Sequence, residues 1–191
     1  MTQAWRDWAP VLVVSLVGLP LAALAAVGLA GWRRGRGLPA RTAWWRSVAE
    51  VGLVAGTLPW IWMTLSPRPE PPRRTWLVPF SDLANQLTAF SPAELVVQIG
   101  GNLLVFAALG FFAPIRYAAL GGILRLFALG AAGSALVETL QHVLDLGRVS
   151  SVDDVLINAI GAALAGLLSR PWWAARSDRE ALPVAEHVYE A

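Results

Sequence analysis

Five apolar runs, each long enough to cross a bilayer as a helix, alternate with short stretches where arginine, proline and acidic residues gather. Spanning the ~30 Å hydrocarbon core takes about 20 apolar residues in a helix. The runs fall at about Pro10 to Trp32, Val48 to Ser66, Val96 to Ala113, Ala118 to Leu144 and Val152 to Ser169. This pattern predicts an all-α, polytopic membrane bundle of about five transmembrane helices. The first run has the look of a signal-peptide core, yet its positive charges, "RRGR" from Arg33, follow it instead of preceding it. It is therefore read as an uncleaved span. "PRPEPPRRTW" (Pro67 to Trp76) ends the second span, because proline lacks the N–H a helix needs and clashes with the turn before it. A loop follows, in which "SPAELVVQ" predicts a short interfacial helix capped by Ser91.

Composition agrees with a membrane class: 56% of residues are hydrophobic, 15% are charged, and mean hydropathy is +0.54. Without cysteine, disulfides and Cys-ligated metals are excluded. A net charge of +2 gives no reason to expect a nucleic-acid partner. The placement of the basic residues, all arginine, is more informative. With the amino terminus outside, Arg33, Arg34, Arg36, Arg41, Arg46, Arg116, Arg125, Arg170, Arg176 and Arg179 fall on the inner side. Arg6, Arg68, Arg73, Arg74 and Arg148 fall on the outer side. That excess predicts amino terminus out and carboxyl terminus in, in a multi-pass protein of the plasma membrane whose first partner is the lipid bilayer. Three segments are expected: 1–47, the first span and its Arg-rich inner loop; 48–170, the main membrane domain; and 171–191, a loosely ordered inner tail opening on the interfacial pair Trp172–Trp173.

The polar groups inside the spans carry the candidate chemistry. Glu138 lies about six residues before the outer end of the fourth span, roughly 9 Å deep at ~1.5 Å per residue. Asn102 and Asn158 lie about six residues into the third and fifth spans, also entering from outside. Asp154, Asn158, Gly161 and Ala165 share one helical face; so do Ser134, Glu138, Gln141 and His142; so do Gly101, Asn102, Phe106 and Gly110. These faces are expected to meet around an outward-opening polar cavity, with Arg148, Asp153 and Asp154 at its mouth. Plainer readings stand beside this one. Asn and Gln often hydrogen-bond membrane helices together, His142 suits the headgroup level, and Asp153, Asp154, Ser150 or Ser151 could cap the fifth helix.

These residues resemble the VanZ-like family of small integral membrane proteins. The resemblance rests on Glu138, Gln141, Arg148, Asp154, Asn158 and Gly161 in order, on "NLLVFAALGFFAP" with Asn102, Phe106, Gly110 and Pro114, and on Thr64, Leu65 and Pro67 followed by Leu77, Pro79 and Phe80. It covers roughly Val48 to Leu168. Ala108 departs from it where the family commonly has proline, and Ser151 where an acidic residue is frequent. The resemblance implies a bacterial membrane protein, with a link, through the family's founding member, to antibiotic resistance against glycopeptides and teicoplanin in particular.

Two functions compete at this stage. In the first, Asn102, Glu138, Gln141, Arg148, Asp154 and Asn158, supported by Phe106, Gly110, Asp153 and Gly161, bind or act on a lipid-linked cell-envelope component. Arg148 then holds a phosphate, and Glu138 with Asp154 accepts a proton or a Mg²⁺ ion. In the second, the polar layer is a packing network in a non-enzymatic accessory protein. The chain shows no nucleophile motif, metal-binding His pair or phosphate loop, which weighs against an enzyme.

Overall fold

The computed structural model describes residues 2–68 and 75–173, with side chains from Ala9 onward. Arg6, Arg73, Arg74, Arg176 and Arg179 fall outside the described side chains, as does the polar tail beyond Trp173. Seven helices follow one another among the described residues: α1 (Thr2–Gly35), α2 (Ala40–Leu65), α3 (Ser81–Ala89), α4 (Pro92–Val105), α5 (Ala107–Arg116), α6 (Ile123–Val143) and α7 (Val152–Ser169). Five stretches are long and apolar enough to cross a membrane: Ala9–Gly35, Ala40–Leu65, Pro92–Arg116, Ile123–Val143 and Val152–Trp172. The third of them is α4 and α5 together. Among the described residues, the five-helix, all-α architecture read from the apolar runs is thus borne out.

Two local expectations change. "SPAELVVQ" forms no separate interfacial helix. Ser91 does cap, and in a full capping box: its Oγ accepts from the Glu94 N–H, and its own N–H donates to Glu94 Oε2 at 2.9 Å. The helix it starts, however, is α4 itself, which continues into the span. The separate short helix is α3, ten residues earlier. It begins after Phe80, whose φ of 66° is unusual for a bulky residue. The third span also breaks between α4 and α5 at Phe106, although Ala108 stands where a proline would explain a kink. Ala108 instead lies against α2: a Cβ on Gly56 would come within 2.5 Å of its methyl.

Helix α7 is the axis of the bundle. Half of its apolar window is buried, against 11% for α1, and it packs on α4, α5 and α6. Lipid tails are as apolar as leucine, so membrane helices associate through close packing more than through solvent exclusion. Small residues permit that approach here. A Cβ on Gly161 would lie 2.1 Å from the Leu103 carbonyl oxygen, and one on Gly110 2.0 Å from that of Ala162. Backbone therefore rests directly on backbone at both crossings. Around them Val105, Phe106, Val137 and Ala162 form a buried cluster against Trp60, Ile61, Leu65 and Leu109. The expected aromatic pair divides. Trp172 is exposed and stacks on Trp45 at 6.4 Å, whereas Trp173 is buried and donates from Nε1 to Ser169 Oγ at 3.0 Å.

Candidate functional site

The last carbonyls of a helix have no partner within it. Helix α2 ends inside the bundle at Leu65, where Pro67 prevents continuation, so its terminal carbonyls must be met from elsewhere. Gln141 on α6 donates from Nε2 to the Thr64 oxygen at 2.8 Å. Arg148, in the loop after α6, donates from Nη2 to Met63 oxygen at 2.6 Å and from Nε to Ser66 oxygen at 3.2 Å. The Thr64–Leu65–Pro67 motif, Gln141 and Arg148 are therefore parts of one joint. The loops close over it: Arg68 N–H donates to Leu146 oxygen at 2.9 Å, and Gly147, at φ 64°, lies so close to Arg68 that a Cβ would be 2.3 Å from its carbonyl oxygen. A parallel bridge then aligns Thr75–Trp76 with Ser150–Ser151.

Asp153 has a comparable task. Its Oδ1 accepts from the Phe80 N–H at 2.5 Å and its Oδ2 from the Leu83 N–H at 2.9 Å, so it caps α3 from another helix. The capping of α7 itself falls to Ser151, whose Oγ accepts from the Asp153 N–H at 3.1 Å. Docked in this way, α3 brings in Asp82, which is buried and accepts from Gln86 Nε2 at 2.8 Å. Loss of this cap should release α3 locally. In Asp153→Ala, amides of Ser81–Ala89 are expected to exchange with deuterium at least tenfold faster, as the loss of about 1.4 kcal/mol of cap energy implies, while those of α6 keep their protection.

The remaining polar groups meet around the first turns of α7. Asn102 of α4 donates from Nδ2 to Asp154 Oδ1. Glu138 of α6 accepts from the Ser151 N–H at 3.2 Å through Oε2, and its backbone oxygen accepts from Ser150 Oγ at 3.3 Å. One turn below Asp154, Asn158 donates from Nδ2 to Ser134 Oγ at 2.7 Å, and its own Oδ1 is buried without a partner. The layer anticipated from depth is thus two hydrogen-bonded pairs, Asn102–Asp154 and Asn158–Ser134, with Glu138 tied to the start of α7. Glu138, Asp82 and Asp153 all lie within electrostatic reach of Asp154, and Arg148 and Asp82 within reach of Glu138.

Placement separates the sequence-derived residues into groups. Asn102, Glu138, Asp154 and Asn158 converge on α7. Gln141 and Arg148 serve the end of α2, and the prongs of Arg148 named above are given to carbonyls. Asp153 holds α3. Gly110 and Gly161 belong to the packing of α5 and α4 on α7, and the Phe106 ring lies against Gly133 of α6. Mg²⁺ prefers octahedral oxygen coordination, and no three His, Cys, Asp or Glu residues gather to hold a metal among the described residues. The Glu138–Asp154 pair does not by itself make a protein-built metal site. Asp82 and Gln86 escaped the sequence reading, although their spacing of four residues was a usable signal. So did Glu50, the one carboxylate in the second span. It bridges Arg33, at 2.5 Å, and Arg116 at the opposite end of the bundle, where Arg33 also donates to Ser47 Oγ at 2.8 Å.

Fold and site together define a multi-pass helical membrane protein with a carboxylate- and amide-lined cluster near one end of its central helix. The model of the VanZ/LLP1 family matches residues 53–173, and the chain belongs to that family. The matched stretch runs from α2 to Trp173 and so includes every residue of the cluster. Neither the search of curated proteins nor that of solved structures found a match.

Proposed function

We propose that the cluster of Asp82, Asn102, Glu138, Asp154 and Asn158 binds the polar headgroup of a lipid-linked cell-envelope component entering from the outer leaflet of the plasma membrane, and that this changes susceptibility to glycopeptides such as teicoplanin. The observation that carries the reading is the placing of Asp82, Glu138 and Asp154, from three separate helices, within electrostatic reach of one another beside membrane-spanning helices, with Arg148 in reach of Glu138. Carboxylates there are costly unless they are paired or bind something. Because carboxylates outnumber the arginine, the cluster suits a donor-rich headgroup, with hydroxyl or ammonium groups, better than a bare phosphate. Arg148 then positions the end of α2 and supplies a compensating field.

Orientation follows from charge. The cluster end carries Asp82, Glu94, Glu138, Asp145, Asp153 and Asp154 with Arg68 and Arg148; the opposite end carries Arg33, Arg34, Arg36, Arg41, Arg46, Arg116, Arg125 and Arg170 with Glu50. The positive-inside tendency puts the second set at the cytoplasm and the cluster outside.

A second reading is favoured by the pairing already present. Asn102–Asp154 and Asn158–Ser134 each join two helices, as a packing network in an accessory protein would. Glu138→Gln and Asp154→Asn separate the two. If the cluster is a site, both variants keep the thermal stability of the parent in detergent, lose its effect on teicoplanin susceptibility, and retain co-purified envelope lipid about tenfold less, the worth of one charged hydrogen bond. Variants that instead unfold together with their loss of effect assign the cluster to packing.

A further inference from the structure

At the end of the bundle opposite the cluster, beside the turn that joins α1 to α2, lies a cleft of about 330 Å³ lined by Val27, Ala30, Gly31, Arg34, Ala40 and Trp44. Val27, Ala30, Gly31 and Arg34 follow at intervals of three, one and three residues, so they form a single stripe on α1 that is apolar along its length and cationic at its tip. Gly31 keeps the floor open: a Cβ there meets no heavy atom within 4 Å. Trp44, half exposed, stands at the rim, where an amphipathic ring favours the headgroup level.

Among the described residues, arginines outnumber carboxylates around the cleft. Glu50 is the only carboxylate at this end among the described residues, and both its oxygens are engaged, by Arg33 and Arg116. Arg34, Arg36, Arg41 and Arg46 are exposed, and α1 has only 11% of its apolar window buried, so the cleft opens towards lipid. An apolar floor asks for a hydrocarbon chain, and an arginine at its end asks for an anion. Basic pockets between membrane helices recognise phospholipid headgroups in this way.

We propose that this cleft is a binding site for an anionic phospholipid, with the phosphate on Arg34 and an acyl chain along Val27, Ala30 and Gly31. Arginine suits the phosphate because its planar fork can donate two parallel hydrogen bonds. The stripe lies before the residues that match the family model, so the site belongs to the added amino-terminal hairpin and is independent of the cluster near α7.

The test is native mass spectrometry of the full chain in detergent, titrated with phosphatidylglycerol or with phosphatidylcholine of the same chains. One phosphatidylglycerol is expected to be retained preferentially. Arg34→Gln should lower that preference about fivefold, the worth of one arginine at an anionic surface, and Arg34→Lys should restore part of it. Gly31→Leu, whose Cβ meets no protein atom within 4 Å, adds bulk to the cleft floor and should reduce retention of both lipids. Arg125→Gln removes a charge at the same end but outside the cleft, and should change neither. Equal retention of the two lipids by the parent overturns the proposal. So does an equal loss in Arg34→Gln and Arg125→Gln, which would mark diffuse charge attraction. A lipid-free dimer that Gly31→Leu dissociates also overturns it, since a second copy of the chain would then be the occupant.

Discussion

A Gly161→Val protein is expected to accumulate little folded material in the membrane. The new Cβ would fall 2.1 Å from the Leu103 carbonyl oxygen, which is rigid helix backbone and not the end of a movable side chain. Relief requires α4 to move off α7, and that opens the cluster of Val105, Phe106, Val137 and Ala162. Overpacking a rigid contact of this kind costs about 3 kcal/mol or more, and a bundle of marginal stability does not withstand it. Fluorescence-detected size-exclusion chromatography after detergent extraction measures the outcome. Gly28→Val serves as the matched control, because a Cβ on Gly28 meets nothing within 4 Å and that variant should elute like the parent. Comparable elution of the two variants would contradict the close crossing of α4 and α7.

Removal of Arg148 is expected to have an effect of similar size for a different reason. In Arg148→Ala the Ser66 carbonyl loses a donor, the Met63 carbonyl keeps only the Ser66 N–H, and Glu138 loses a nearby positive charge. A part-buried carbonyl left without a donor costs about 1–3 kcal/mol, and the loss of the nearby charge at Glu138 adds to it. These terms overlap, so a total loss of about 3 kcal/mol is expected, read as a fall in the thermal midpoint in detergent. Arg148→Lys should recover part of it, since an ammonium group reaches one carbonyl but cannot span two separated along the end of α2. A lysine variant equal to the parent would show that the charge alone matters and that the two-carbonyl geometry does not.

Much of the fold is legible in the sequence because lipid imposes few solutions. A run such as Val152 to Ser169 can only be a helix if it crosses hydrocarbon, and the arginines mark the ends. The polar positions on α4, α6 and α7 were legible for the same reason: Asn102, Glu138 and Asn158 are conspicuous in apolar surroundings. Their partners were not. Periodicity and shared depth led to the expectation that the faces of Asn102 and Asp154 meet, but do not say which side chain pairs with which. The tasks of Arg148 and Gln141 could not be read at all, because the groups they serve are backbone carbonyls about eighty residues earlier, and backbone leaves no mark in a sequence. Helix α3 was missed because nine residues are short for a helix to be read from pattern, despite the four-residue spacing of Asp82 and Gln86. What fixes it is the carboxylate of Asp153, seventy residues away.

Glu50 has a consequence for how the chain enters the membrane during synthesis. Its two oxygens are satisfied at different times. Arg33 is seventeen residues earlier and is already present when α2 emerges, whereas Arg116 follows sixty-six residues later. The first hairpin can therefore be inserted with Glu50 already paired to Arg33, and the second partner of Glu50 arrives only with the third span. An order of assembly is thereby written into one side chain: the early pair steadies the hairpin, and the late arginine finds its counter-ion already fixed in place.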